Sequence, residues 1–157
     1  MNAGKLGLIA LFVLILGVMA LPTLAADKTK TVTVTLTEAQ INSSYRVTNP
    51  ARRSITNVNV DLQPGQVVIT ATFTAPKTDP IAVSVTLVPS VSNGRVYWTV
   101  LSATANGKAA SADLLTQINA SISTSWRNYW KGKHPGYVTA LSVSDDSITW
   151  TKVYGSV

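Results

Sequence analysis

Hydrophobic and polar residues alternate along most of this chain, and a helical spacing interrupts the alternation twice. Residues 31–36 (TVTVTL) put Val32, Val34 and Leu36 on one face and threonines on the other, the period-two pattern of a half-buried strand. Thr37-Glu38-Ala39-Gln40 follows as a capping box, with threonine at the cap and glutamine three residues on. Leu36 before the cap and Ile41 at the fourth helical position fit the hydrophobic staple. A short helix is therefore expected from Glu38 to about Arg46, with Ile41 and Tyr45 on one side. Asn49-Pro50 ends it, because the residue before a proline is pushed out of the helical region.

Four alternating segments come next. Residues 55–62 place Val58, Val60 and Leu62 inward, with Asn57, Asn59 and Asp61 outward. Pro64-Gly65 supplies the central pair of a type II turn. Residues 67–75 return with Val67, Ile69, Ala71 and Phe73 on one face. After a loop over 76–80, residues 81–88 place Ile81, Val83, Val85 and Leu87 inward. Ser92-Asn93-Gly94 signals a hairpin, and residues 95–105 pair back with Val96, Trp98 and Val100 on one face. Asn106-Gly107-Lys108 closes that strand.

The period then changes. Leu115, Ile118, Ile122, Trp126 and Tyr129 recur at three- and four-residue steps, one face of a long helix. Ser111 is its expected cap, Asp113 lies in the first turn, and Lys131 with Gly132 marks its end. Two short strands, 137–143 and 147–153, remain, joined by Ser144-Asp145-Asp146. The order predicts an α+β fold: a curved antiparallel sheet of about six to seven strands, with one long amphipathic helix and one short N-terminal helix packed on it.

The first residues set the compartment. Lys5 is followed by a run without charge from Leu6 to Ala26, and Pro22 and the Ala25-Ala26 pair follow the apolar core. That order is expected for a secretory signal over residues 1–26, with an uncleaved N-terminal anchor as the alternative. Either predicts a secreted or extracytoplasmic domain over residues 27–157. The chain has no cysteine, which excludes disulfides and thiolate chemistry. Charged residues are 13%, about half the usual quarter, and the formal net charge is +6. The basic residues form no stripe, which argues against nucleic acid, although an anionic membrane surface suits an exported cation.

Candidate chemistry is sparse. His134 is the single histidine and stands in an expected loop. Asp145-Asp146 is the one adjacent acidic pair and reads as a turn. The chain shows neither a phosphate-binding glycine loop nor a nucleophile elbow, so no catalytic residue, metal ligand or cofactor is assigned, and no enzyme is expected. Asn42-Ser43-Ser44 and Asn119-Ala120-Ser121 match the glycosylation triplet within expected helices. One patch interleaves aromatic and cationic residues at a helix end: Trp126, Arg127, Tyr129, Trp130, Lys131 and Lys133. Such a patch serves a membrane interface or a sugar-stacking surface, or else Trp126 and Tyr129 belong to the core.

The segment TLTEAQIN (residues 35–42), the run VNVDL (58–62), the Pro-Gly turn, the Asn93-Gly94 hairpin and the helix opening at Leu114-Leu115 together give a layout. It resembles small exported bacterial families, the YpmS-like and the LmeA-like phospholipid-binding proteins. The resemblance implies a sheet-plus-helix module that holds apolar ligands, such as acyl chains, between helix and sheet. Ile41, Tyr45, Phe73, Trp98, Leu115, Ile118, Ile122 and Trp126 are then the expected lining. The alternative is a carbohydrate- or surface-binding module with Trp130, Tyr129 and Trp98 as exposed platforms.

Overall fold

The computed structural model describes residues 29–133 and 136–155. The expectations for residues 1–26 and for His134 lie outside the described residues.

The fold is α+β, but its strands form two antiparallel sheets rather than one. Strand β1 (Lys30–Thr37) leads directly into helix α1 (Glu38–Ser44). Strands β2 (Ser54–Gln63), β3 (Gln66–Thr74), β4 (Ile81–Ser92), β5 (Arg95–Ala105) and the short β6 (Lys108–Ala109) form a five-stranded meander in sequence order. Helix α2 (Ala112–Ile118) runs through a π-helical segment (Asn119–Ser123) into α3 (Thr124–Lys131) without a break. Strands β7 (Tyr137–Val143) and β8 (Ser147–Tyr154) then join β1 in a three-stranded sheet of order β1-β8-β7. The first strand thus pairs with the last. Strand β7 lies against β4 and β5 of the larger sheet, and at the hairpin turns Val138 N–H donates to Gly94 O and Gly65 N–H donates to Val143 O.

Local chemistry explains the elements. The capping box is complete: Gln40 N–H donates to Thr37 Oγ1, and Thr37 N–H donates to Gln40 Oε1. Asn93 and Gly94 both have positive φ, as do Asn106 and Gly107, the requirement of the type I′ turns that reverse β4 into β5 and β5 into β6. Asn57, also at positive φ, sits in a bulge between the Thr56–Thr72 and Asn59–Thr70 pairs. The extra residue lets Ile55 and Val60, an odd number of positions apart, both face the core. Val58, expected inward, is accordingly only half-buried.

Helix α1 closes an edge. Strand β2 has a neighbour on one side only, and α1 supplies side chains to the other. The Asn42 amide spans the Val60 backbone, accepting from its N–H and donating to its C=O at 2.8 Å each, while Leu62 N–H donates to Glu38 Oε2. Three polar residues of the TLTEAQIN segment therefore have structural work: capping by Gln40, and edge satisfaction by Glu38 and Asn42.

The helix over residues 112–131 lies across the inner face of the larger sheet. Ile118, Ile122, Trp126 and Trp130 are all buried at four-residue intervals. In a regular helix of 3.6 residues per turn, three such steps drift by about 120° around the axis. The wider π turn takes up an extra residue and returns the stripe to the core. Its loosened carbonyls are satisfied: Tyr45 Oη donates to Ile122 O and Thr124 Oγ1 donates to Asn119 O. The small residues Ser121, Ser123 and Ser125 let this bulge approach its neighbours, and Ser125 Oγ accepts from Thr48 N–H.

Candidate functional site

Most of the expected ligand lining is packed core. Ile41, Tyr45, Phe73, Trp98, Ile118, Ile122 and Trp126 fall in one buried cluster, so the fold does bring them together, with side chains closed on each other. Leu115 is only half-buried, and its neighbour Leu114 is the residue that packs on the cluster. The expectation of exposed Trp98 and Trp130 platforms is overturned, because Trp130 is 1% exposed and Trp98 is buried with it. An indole offers a large apolar area, and the π turn rotates Trp130 onto the inner face that a regular helix would turn away. Tyr129 is half-buried against Trp126, Arg127 is half-buried, and Lys131 and Lys133 are exposed.

All four tryptophans form one aromatic chain across the molecule. Trp126 meets Tyr45 and Trp98 edge-on, Trp98 meets Trp130 edge-on at 5.4 Å, and Trp130 meets Trp150 at 5.0 Å. The chain links α1, the long helix and both sheets through the edge-to-face geometry that ring quadrupoles favour. Burial pushes the Tyr45 phenol far above its ordinary pKa and keeps it a neutral donor.

At the C-terminal end of α3 this aromatic chain reaches a cleft of about 630 Å³, within the range of roughly 300–1,000 Å³ typical of small-molecule sites. Trp98 and Trp130 contribute its apolar wall, and Gly94, Tyr97 and Gly136 stand around it. Arg95, Arg127 and Lys131 supply cations, and its described lining contains no acid. Arg127 is fixed by donation from Nε to Trp98 O at 3.1 Å, which leaves the Nη end of its guanidinium for another partner. The Trp98 indole N–H, buried in the cleft wall, has no acceptor among the described residues. Tyr97 and Tyr137 are 47% and 50% exposed beside it, and the Tyr137 ring lies against Gly94, where there is no room for a Cβ.

Of the residues expected at a ligand or surface site, the cleft gathers Trp98, Trp130, Arg127 and Lys131. Arg95, Tyr97, Gly94 and Gly136 were missed. They lie at hairpin and loop ends, where alternation carries no signal about which distant helix end comes near. The other candidates are structural. Asp146 accepts from the Ser144 and Ser147 hydroxyls, which lowers its carboxyl pKa and marks a turn residue. Asn42 of the first glycosylation triplet is held by Val60, and Asn119 of the second accepts from Ser123. Among the described residues no cluster of three or more metal-ligating side chains occurs, and no helix is long and apolar enough to cross a membrane. Comparison with protein-family models, with curated proteins and with solved structures gives no match to this chain.

Proposed function

We propose that this protein is an exported, non-enzymatic module of the cell envelope that binds a lipid or another amphiphile. The supporting observation is the cleft at the end of α3, with two indoles on its wall, three cations around it and no acid in its described lining. An apolar chain enters the cleft, whose inner end Trp98 and Trp130 close, and the polar end of the ligand meets Arg127, Arg95 and Lys131. The site is thus smaller than a helix–sheet cavity and sits at its rim, since the central residues are packed against each other. Tyr97 and Tyr137, exposed next to Arg95 and Lys131, suit contact with a membrane surface from which the ligand is taken. The resemblance of the sequence layout to YpmS-like and LmeA-like proteins, and the apolar N-terminal run, favour the same compartment and ligand class.

The test is native mass spectrometry of the full chain expressed in an exporting host and purified without detergent. The expected spectrum carries an adduct of lipid mass that is lost on organic extraction and restored by added lipid. A clean mass before and after incubation with envelope lipids contradicts the proposal. Binding of soluble wall oligosaccharides in its place transfers the cleft to the carbohydrate reading, with Tyr97 and Tyr137 as its platforms.

A further inference from the structure

Strand β8 carries a lysine where its pattern calls for an apolar residue. Ile148 and Trp150 face the core at alternate positions, and Lys152 continues the same face at 8% exposure. The aliphatic stem is what is buried, and a Met or Val at this position fills the same space without a charge to carry out of the core. Among the described residues, its own strand β8 and the two strands paired with it, β1 and β7, contain no aspartate or glutamate. The cleft beyond Gly136 adds the cations Arg95, Arg127 and Lys131. In the structure the Lys152 Nζ rests over the Tyr154 ring, 5.2 Å from its centre, a cation–π contact that holds the charge without neutralising it.

Lys152 stands directly behind the cleft's lining at Gly136. Its stem runs beneath Gly136, where a Cβ would lie 3.8 Å from Lys152 Cδ, and Gly136 lines the cleft. Its pairing partner is Val138, whose N–H binds the C=O of Gly94 in the cleft wall. Trp150, one position back on the same face, packs on Trp130 of that wall. We propose that Lys152 is the anion receptor of the cleft: the ligand carries a phosphate or carboxylate that Lys152 takes from the inner side while the Arg127 fork takes it from the helix side. The four-carbon stem is long enough to swing the ammonium from the Tyr154 ring toward the cleft without moving the strand. This inference rests on the cleft being a ligand site and adds the chemical class of the ligand.

The experiment titrates the full chain, as wild type, K152M and K152R, with three probes followed by calorimetry and tryptophan fluorescence. Dodecyl phosphate carries chain and anion, dodecyl maltoside carries the chain alone, and inorganic phosphate carries the anion alone. Wild type is expected to bind dodecyl phosphate more tightly than dodecyl maltoside. K152M is expected to weaken dodecyl phosphate about tenfold, the loss of one charge-assisted contact, with dodecyl maltoside unchanged. That unchanged maltoside binding shows K152M to be folded, and K152R, which keeps the charge, is expected to retain the preference for dodecyl phosphate. Inorganic phosphate binding that K152M abolishes, without binding of either dodecyl probe, supports the anion site and assigns it to a free anion, which overturns the amphiphile reading alone. Equal binding of dodecyl phosphate by wild type and K152M overturns the role of Lys152 and leaves the amphiphile reading standing. A wild-type protein that binds none of the three overturns both.

Discussion

Replacing Asn42 with alanine tests whether α1 stabilises the fold by closing the edge of β2. The asparagine amide makes two hydrogen bonds to Val60, and the Val60 side chain is fully buried. Truncation leaves the Val60 N–H and C=O without partners at a place where water gains only partial access. An orphaned buried polar group costs about 1–3 kcal/mol, so the pair amounts to about 2–6 kcal/mol, a large share of the roughly 5–15 kcal/mol that holds a domain of this size together. With urea m-values of about 1–3 kcal/mol/M, the unfolding midpoint is expected to fall by about 2 M at the middle of both ranges, with no change in slope. Ser43, exposed beside Asn42, is the control, and S43A is expected to unfold with the wild type. Asn42→Asp keeps the acceptor for Val60 N–H but turns a second oxygen toward Val60 O, so it is expected to lie near the alanine variant. An unfolding free energy for Asn42→Ala within about 0.5 kcal/mol of wild type, the scatter of ordinary surface substitutions, refutes the reasoning.

Three further outcomes follow from the same geometry. Tyr45→Phe removes the donor to Ile122 O in the π segment and is expected to cost about 1–2 kcal/mol by urea unfolding. The raised pKa of that phenol stabilises the fold fully below about pH 10, its unfolded value, and the contribution disappears as pH rises beyond it. Wild type minus Tyr45→Phe absorbance titrations are therefore expected to place the Tyr45 ionisation above pH 10, and a difference curve centred at 10 contradicts this. Asn57→Val forces a β-branched residue into positive φ and is expected to cost about 1–3 kcal/mol, whereas Asn57→Gly is near neutral; equal stability of the two refutes the bulge as the reason Ile55 and Val60 face the same way.

The local features were legible because local chemistry determines them. The capping box at Thr37, the alternation of β3 and β4, the Asn93-Gly94 turn and the Ser111 cap all depend on residues within four positions of one another. Three kinds of feature were not. The bulge at Asn57 and the π turn at residues 119–123 each insert one residue into a regular period, and a regular period is what pattern reading assumes. The pairing of β1 with β8 joins the two ends of the described domain, and nothing in either strand names its partner. The cleft is the same problem at smaller scale. Arg95 and Arg127 meet because the helix ends over the β4–β5 hairpin, a tertiary fact. Lys152 had a visible signal, a lysine in step with Ile148 and Trp150, but its neighbours decide whether such a residue is a snorkelling stem or a receptor.

The most direct test of the cleft as the binding site follows the indole N–H signals in nitrogen-15 correlation spectra while dodecyl phosphate is added. There are four tryptophans, so there are four indole signals to assign. Trp98 and Trp130 line the cleft, while Trp126 is fully buried and does not. The account predicts that the Trp98 signal shifts first and furthest, as its unpartnered N–H feels the ligand, that Trp130 follows, and that Trp126 stays in place. Saturating ligand with all four signals unmoved, or with Trp126 moving ahead of Trp98, contradicts it.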